Sequence, residues 1–113
     1  MNESVGHLQD VFQFFGPIDI KRMFSGRGVF HQGLMFGIIA HDNVYLKADA
    51  ENVSAFTDRG LPQFEYRRKG KVAKLSYWQA PEEIMDDCEE AAKWARRSFE
   101  AALRAKRPAH CAN

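Results

Sequence analysis

The sequence predicts a single α+β domain: an antiparallel meander sheet plus a hairpin, with N-terminal and C-terminal helices packed against it. Three observations carry that reading. Apolar residues recur at helical spacing chiefly near the two ends of the 113-residue chain, the middle alternates with the period of two that belongs to strands, and short glycine- or asparagine-bearing turns separate the alternating runs. The length leaves no room for two separately cored units. Nine Phe, two Trp and three Tyr supply a core that needs no disulfide or metal. The domain is expected over residues 1–107, with 108–113 as a flexible tail.

The elements follow in order. Val5, Leu8, Val11, Phe12 and Phe15 lie at three- and four-residue spacing ahead of Gly16-Pro17, which is a first helix and its stop. From Ile18 the period changes, with Ile18, Ile20, Arg22 and Phe24 on one face of a strand and Asp19, Lys21 and Met23 on the other. Gly26 and Gly28 are expected to break the run, leaving Val29 to His31 as a short strand, and Gln32-Gly33 as the turn into Leu34 to Ala40. Asp42-Asn43 turns again into Val44 to Ala48, where Val44 and Leu46 point inward and Tyr45 and Lys47 outward.

Asp49 can cap a short helix holding Val53 and Phe56, closed by Gly60 before Pro62. Gln63 to Arg68 and Lys71 to Trp78 then pair across Lys69-Gly70 as a hairpin. Pro81 opens a helical turn, with Glu82 and Glu83 placed favourably for the helix dipole. Asp86 with Glu89, or Asp87 with Glu90, has capping-box spacing for a last helix whose apolar stripe is Ala91, Ala95, Phe99 and Ala102.

Composition excludes several function classes. A net charge of +1 gives the whole molecule no field that draws it to nucleic acid, so any such contact is local. Cys88 and Cys111 stand apart without a second ligand at zinc spacing, His110 beside Cys111 notwithstanding. The longest apolar run, Leu34 to Ala40, is too short for a bilayer and the N-terminus lacks signal-peptide character, so the protein is expected in the cytoplasm and off the membrane.

Residues of catalytic type are not assembled. His31 and His41 flank a seven-residue strand and stand roughly 20 Å apart, too far to share a metal; each reads as a solvated turn residue. Neither Ser25 nor Ser76 sits in a nucleophile elbow, and the glycines at 26, 28 and 33 lead into strands rather than a helix, unlike a phosphate loop. The acidic cluster from Glu82 to Glu90 has no calcium-loop spacing and suits a helix N-terminus. No catalytic residue and no cofactor is therefore assigned, and the chain is expected not to be an enzyme.

The surface feature that stands out is the hairpin bearing Arg67, Arg68, Lys69, Lys71 and Lys74, five cations with no acid between them. Such a hairpin can touch phosphates, or it can be charged to keep a sheet edge soluble. The same cations could meet an acidic segment such as Glu82 to Glu90, within the chain or in a partner subunit. Aromatic sheet residues and free edge strands are compatible with a homodimer. Trp94 and Phe99 read as core or interface anchors rather than base-stacking platforms.

Taken together, Arg22-Met23-Phe24-Ser25-Gly26-Arg27-Gly28-Val29-Phe30, Gly33-Leu34-Met35-Phe36-Gly37 and Val44-Tyr45-Leu46-Lys47, followed by Gly60, Phe64, Tyr66, Ser76-Tyr77, Pro81 and Trp94, resemble the N-terminal domain of the TfoX/Sxy family of bacterial competence regulators. The resemblance implies a transcriptional co-regulator of the DNA-uptake type, acting with the cyclic-AMP receptor protein or another transcription regulator and so reaching DNA indirectly. Fuller members continue into a second, helical domain; by the resemblance this chain is expected to be the N-terminal domain standing alone. The resemblance supplies no catalytic residues. Within the signature, Arg22 reads either as a buried structural arginine, which is the expectation, or together with Tyr45 and Lys47 as a cleft for a partner or an anionic ligand.

Overall fold

Alternation of side chains along the central strands gives the sheet two faces, and both are apolar. The computed structural model describes residues 8–23, 26–40 and 42–106. Six strands, β1 (Asp19–Met23), β2 (Gly26–His31), β3 (Leu34–Ala40), β4 (Asn43–Lys47), β5 (Gln63–Arg68) and β6 (Lys71–Gln79), form one sheet in the spatial order β1-β2-β3-β4-β6-β5. Every neighbouring pair is antiparallel. Because β6 pairs with β4 through Tyr45 opposite Gln79 and Lys47 opposite Tyr77, the expected hairpin extends the meander and leaves β5 on an outer edge.

Helices cover one face. A helical segment at 8–11, here α1, buries Leu8 and Val11, and Phe12 follows them into the core. A short α2 (Val53–Thr57) contributes Phe56. The long α3 (Cys88–Lys106) lays Ala91, Ala95 and Ala102 against the sheet, the small side chains letting helix and strands approach closely. Val29, Ile39, Val44 and Leu46 meet them from the strands. Burying each of the large side chains Phe12, Phe36 and Phe56 contributes about 1.5–3 kcal/mol. Ser98 Oγ is fully buried in α3 and is the one buried side-chain polar atom without a hydrogen-bond partner among the described residues.

A β-bulge shapes this core. The register slips between Val29, opposite Gly37, and Phe30, opposite Met35, so β3 carries an extra residue there. That residue is Phe36, which joins Phe12, Phe15 and Phe99 on the helix side with ring centroids 5.8, 5.2 and 6.3 Å away. The opposite sheet face carries a second, smaller cluster of Ile38, Ala40, Tyr45, Phe64 and Tyr77, against which Met35, Tyr66 and Leu75 pack. Tyr45 and Phe64 lie 4.9 Å apart, centroid to centroid.

Several local expectations need correcting. Gly26 and Gly28 do not break the sheet: Gly26 pairs with Met23 and Gly28 with Lys21, inside β2. Gly26 belongs there because a Cβ at that position would lie 2.4 Å from the Ile39 carbonyl oxygen. The short helix is not capped by Asp49; Asn52 holds the N-cap position, and Asp49 and Asn52 instead lock the preceding turn. The helical turn expected at Pro81 is a 3-10 one, Glu82–Met85, in which Pro81 holds the N-cap position rather than the first helical position. Of the two capping boxes, Asp87 supplies the cap, its Oδ1 accepting from the amides of Glu89 and Glu90 at 3.1 and 3.2 Å. Val5, Phe24, Ser25, His41 and the expected tail lie outside the described residues.

Candidate interaction surfaces

The basic hairpin projects from the outer edge of the sheet. Lys69 and Gly70 both take left-handed backbone angles, φ 53° and 81°, as a two-residue turn matched to the strand twist requires. Arg67, Lys69, Lys71 and Lys74 are exposed, and none forms an ion pair among the described residues. The strand register divides them: Arg67 stands opposite Val72 and Lys74 opposite Glu65 on one face, while the Arg68–Lys71 pair belongs to the other. The side chain of Arg68 lies outside the described ones. Val72, 48% exposed, adds an apolar element to the cationic surface.

Tyr45 and Lys47 sit on the face away from the helices, but they do different things. Tyr45 is buried in the second cluster. Lys47 is half-buried, donates to Ser76 Oγ at 2.6 Å and holds its ammonium 5.2 Å from the centroid of the Tyr77 ring. Burial pushes the Tyr77 phenol up to about 12.

Arg22 is not the buried arginine the sequence suggested. It is exposed on β1, opposite Arg27. The register runs from Arg22 through Arg27 and Ile39 to Val44, whereas Tyr45 pairs through Ile38 with Gly28 and Lys21. Arg22 therefore belongs to the opposite sheet face from Tyr45 and Lys47, and the three do not line one cleft. The guanidinium reaches solvent because β1 is the other edge strand, where no helix is needed to cover a long charged side chain.

His31 also departs from expectation. Instead of a solvated turn residue it is buried, its Nδ1 2.7 Å from the Pro17 carbonyl oxygen, with its ring 4.5 Å from Phe15 and 4.9 Å from Phe99. It fastens the segment after α1 to β2. Trp94 is a core residue packed 5.1 Å from Phe56 and flanked by the guanidinium groups of Arg59 and Arg97, each 5.7 Å from its ring. Arg59 also pairs with Glu83 of the acidic segment.

The best-formed ion pair was not legible in the sequence. Arg104 near the end of α3 donates from Nε to Asp49 Oδ2 at 2.6 Å and from Nη2 to Oδ1 at 3.0 Å. Asp49 is also held by the amide of Glu51, and Asn52 bridges the Asp49 amide to the Lys47 carbonyl. The hydrogen bonds from Arg104 hold the Asp49 carboxyl below the usual carboxylate range. Residues 55 positions apart make this contact, so no local pattern announces it.

Open clefts flank these features. One of about 480 Å³ runs along β5 from Pro62 to Arg67 with Tyr45 at its floor. Another, of about 420 Å³, lies between the start of β4 and the Glu82–Met85 turn. Among the described residues, no group of three or more His, Cys, Asp or Glu side chains could hold a metal ion. No helix there is long and apolar enough to cross a membrane.

The profile of the TfoX N-terminal domain matches residues 10–102. The chain belongs to the TfoX N-terminal domain family. It is also 26% identical over 83 residues to the DNA transformation protein TfoX1 of Aliivibrio fischeri, an alignment covering 70% of this chain and 40% of that protein. The chain thus spans under half the length of that relative. On this TfoX N-terminal domain, the signature residues divide by role. Gly26 and Gly37 permit close backbone approach, since a Cβ on Gly37 would stand 3.2 Å from the Tyr45 carbonyl oxygen. Phe36, Leu46 and Trp94 build the helix-side core, and Tyr45, Phe64 and Tyr77 build the second. Arg22 remains without such a structural task.

Proposed function

We propose that this TfoX N-terminal domain is a non-catalytic regulatory module that acts in DNA transformation through a protein partner, a transcription regulator of the cyclic-AMP receptor type, and reaches DNA through that partner. Membership of the family over residues 10–102 carries the reading, together with the naming of a relative as a DNA transformation protein. The chemistry of the surface agrees with it. Exposed cations stand on the β5–β6 hairpin (Arg67, Lys69, Lys71, Lys74) and on β1 (Lys21, Arg22), suited to docking against an acidic surface. Purified domain titrated against the cyclic-AMP receptor protein by calorimetry should give saturable binding; absence of heat or mobility shift at protein concentrations of about 100 μM would remove the proposed partner.

A second reading has its own observation. Arg67, Lys69, Lys71 and Lys74 are exposed without ion-pair partners among the described residues, which leaves the hairpin free to meet phosphates directly. That reading requires salt-steep binding to a duplex by the domain alone, weakened when Arg68 and Lys69 become Glu.

A further inference from the structure

The outer edge strand β5 is self-complementary, and we propose that it pairs antiparallel with β5 of a second copy across a two-fold axis at Tyr66. This inference is independent of the proposed role in transformation.

The two-residue turn at Lys69-Gly70 makes Arg68 and Lys71 the pair that exchanges both backbone hydrogen bonds across the hairpin. Alternation then directs the amide and carbonyl of Tyr66 toward β6 and those of Glu65 and Arg67 out of the sheet edge. No described strand lies beyond β5, and an open cleft runs along it. The outward groups of Glu65 and Arg67 are therefore a template for another strand.

Charge selects the register. A two-fold axis at Glu65 sets glutamate against glutamate, and one at Arg67 sets arginine against arginine; like charges directly opposite each other disfavour pairing. With the axis at Tyr66, Glu65 faces Arg67 of the second copy twice over. These are also the positions whose backbone groups point outward, so each ion pair sits on a hydrogen-bonded pair. Glu65 has no ion-pair partner of its own among the described residues, and Lys74 opposite it on β6 completes a line of alternating charge. Pro62 and the bulge between Gln63 and Glu65 end the usable edge on one side and the turn ends it on the other. The pairing is therefore short, closed by symmetry and of modest affinity.

Sedimentation equilibrium from about 1 μM to about 1 mM tests this. The 12.9 kDa chain should approach twice its mass as concentration rises. Glu65→Arg and Arg67→Glu, each alone, should weaken association about tenfold or more by setting like charges opposite one another, while the double exchange restores it to within about threefold of the original. Arg67→Pro, which removes an outward amide and leaves the β6 ladder intact, should abolish association; far-ultraviolet circular dichroism checks that each variant is folded. A chain that stays monomeric throughout, or a dimer whose folded variants show neither the weakening nor the rescue, overturns the proposal.

Discussion

A methyl group on Gly26 would stand 2.4 Å from a main-chain oxygen, that of Ile39, which cannot swing aside as a side chain could. Gly26→Ala should therefore lower stability by about 1–3 kcal/mol, measured by urea unfolding. A second single-residue effect is set by pH. The Asp49 carboxyl is depressed from its unfolded value of 3.8 by Arg104, so its contribution is fully present above pH 3.8 and is lost as pH falls through the lower, folded value. Replacing Arg104 by Ala should cost about 1 kcal/mol at neutral pH. The difference between variant and parent should shrink as the solution is acidified below pH 3.8; a difference independent of pH would mean that the carboxylate is not the group involved. Neither contact was legible in the sequence. Gly26 was visible as a glycine but read as a strand breaker, because a turn and a close approach leave the same mark. Asp49 was visible as a cap and proved to be a long-range acceptor.

Elements were read more securely than their roles. The apolar run from Leu34 to Ala40 located β3 and the alternation from Gln63 to Arg68 located β5 as they stand, and the Gln32-Gly33 and Lys69-Gly70 turns were recognisable because few residue pairs accept two positive φ angles. What periodicity could not give was the bulge that turns Phe36 toward the helices, or the insertion of β6 beside β4. Both depend on pairing between strands, which a single strand's pattern does not contain. The Lys69-Gly70 turn also supports a prediction at this scale. Lys69 carries a left-handed φ of 53° that a lysine adopts at a cost. Lys69→Asn should stabilise the hairpin by roughly 0.5–1 kcal/mol, seen as a higher melting temperature; an unchanged or lower one would mean that the lysine ammonium contributes there.

For the whole molecule, a near-neutral chain with a net charge of +1 carries exposed cations at both edges of its sheet, Lys21 and Arg22 on β1 and the β5–β6 hairpin at the other, besides those along α3. The sequence named the hairpin and Arg22 as candidates, and could not say that Arg22 and Lys47 belong to opposite faces, since that follows from four strands in register. Separate charged edges on an aromatic sheet suit contacts with macromolecules rather than enclosure of a small ligand. On the proposed function, this domain works through a protein partner. Fluorescence anisotropy of a labelled promoter duplex from a DNA-uptake gene, titrated with the domain at two salt concentrations with and without the cyclic-AMP receptor protein, tests it most directly. Duplex binding should tighten only when the receptor protein is present. No change in any arm, or salt-steep binding by the domain alone, would contradict it.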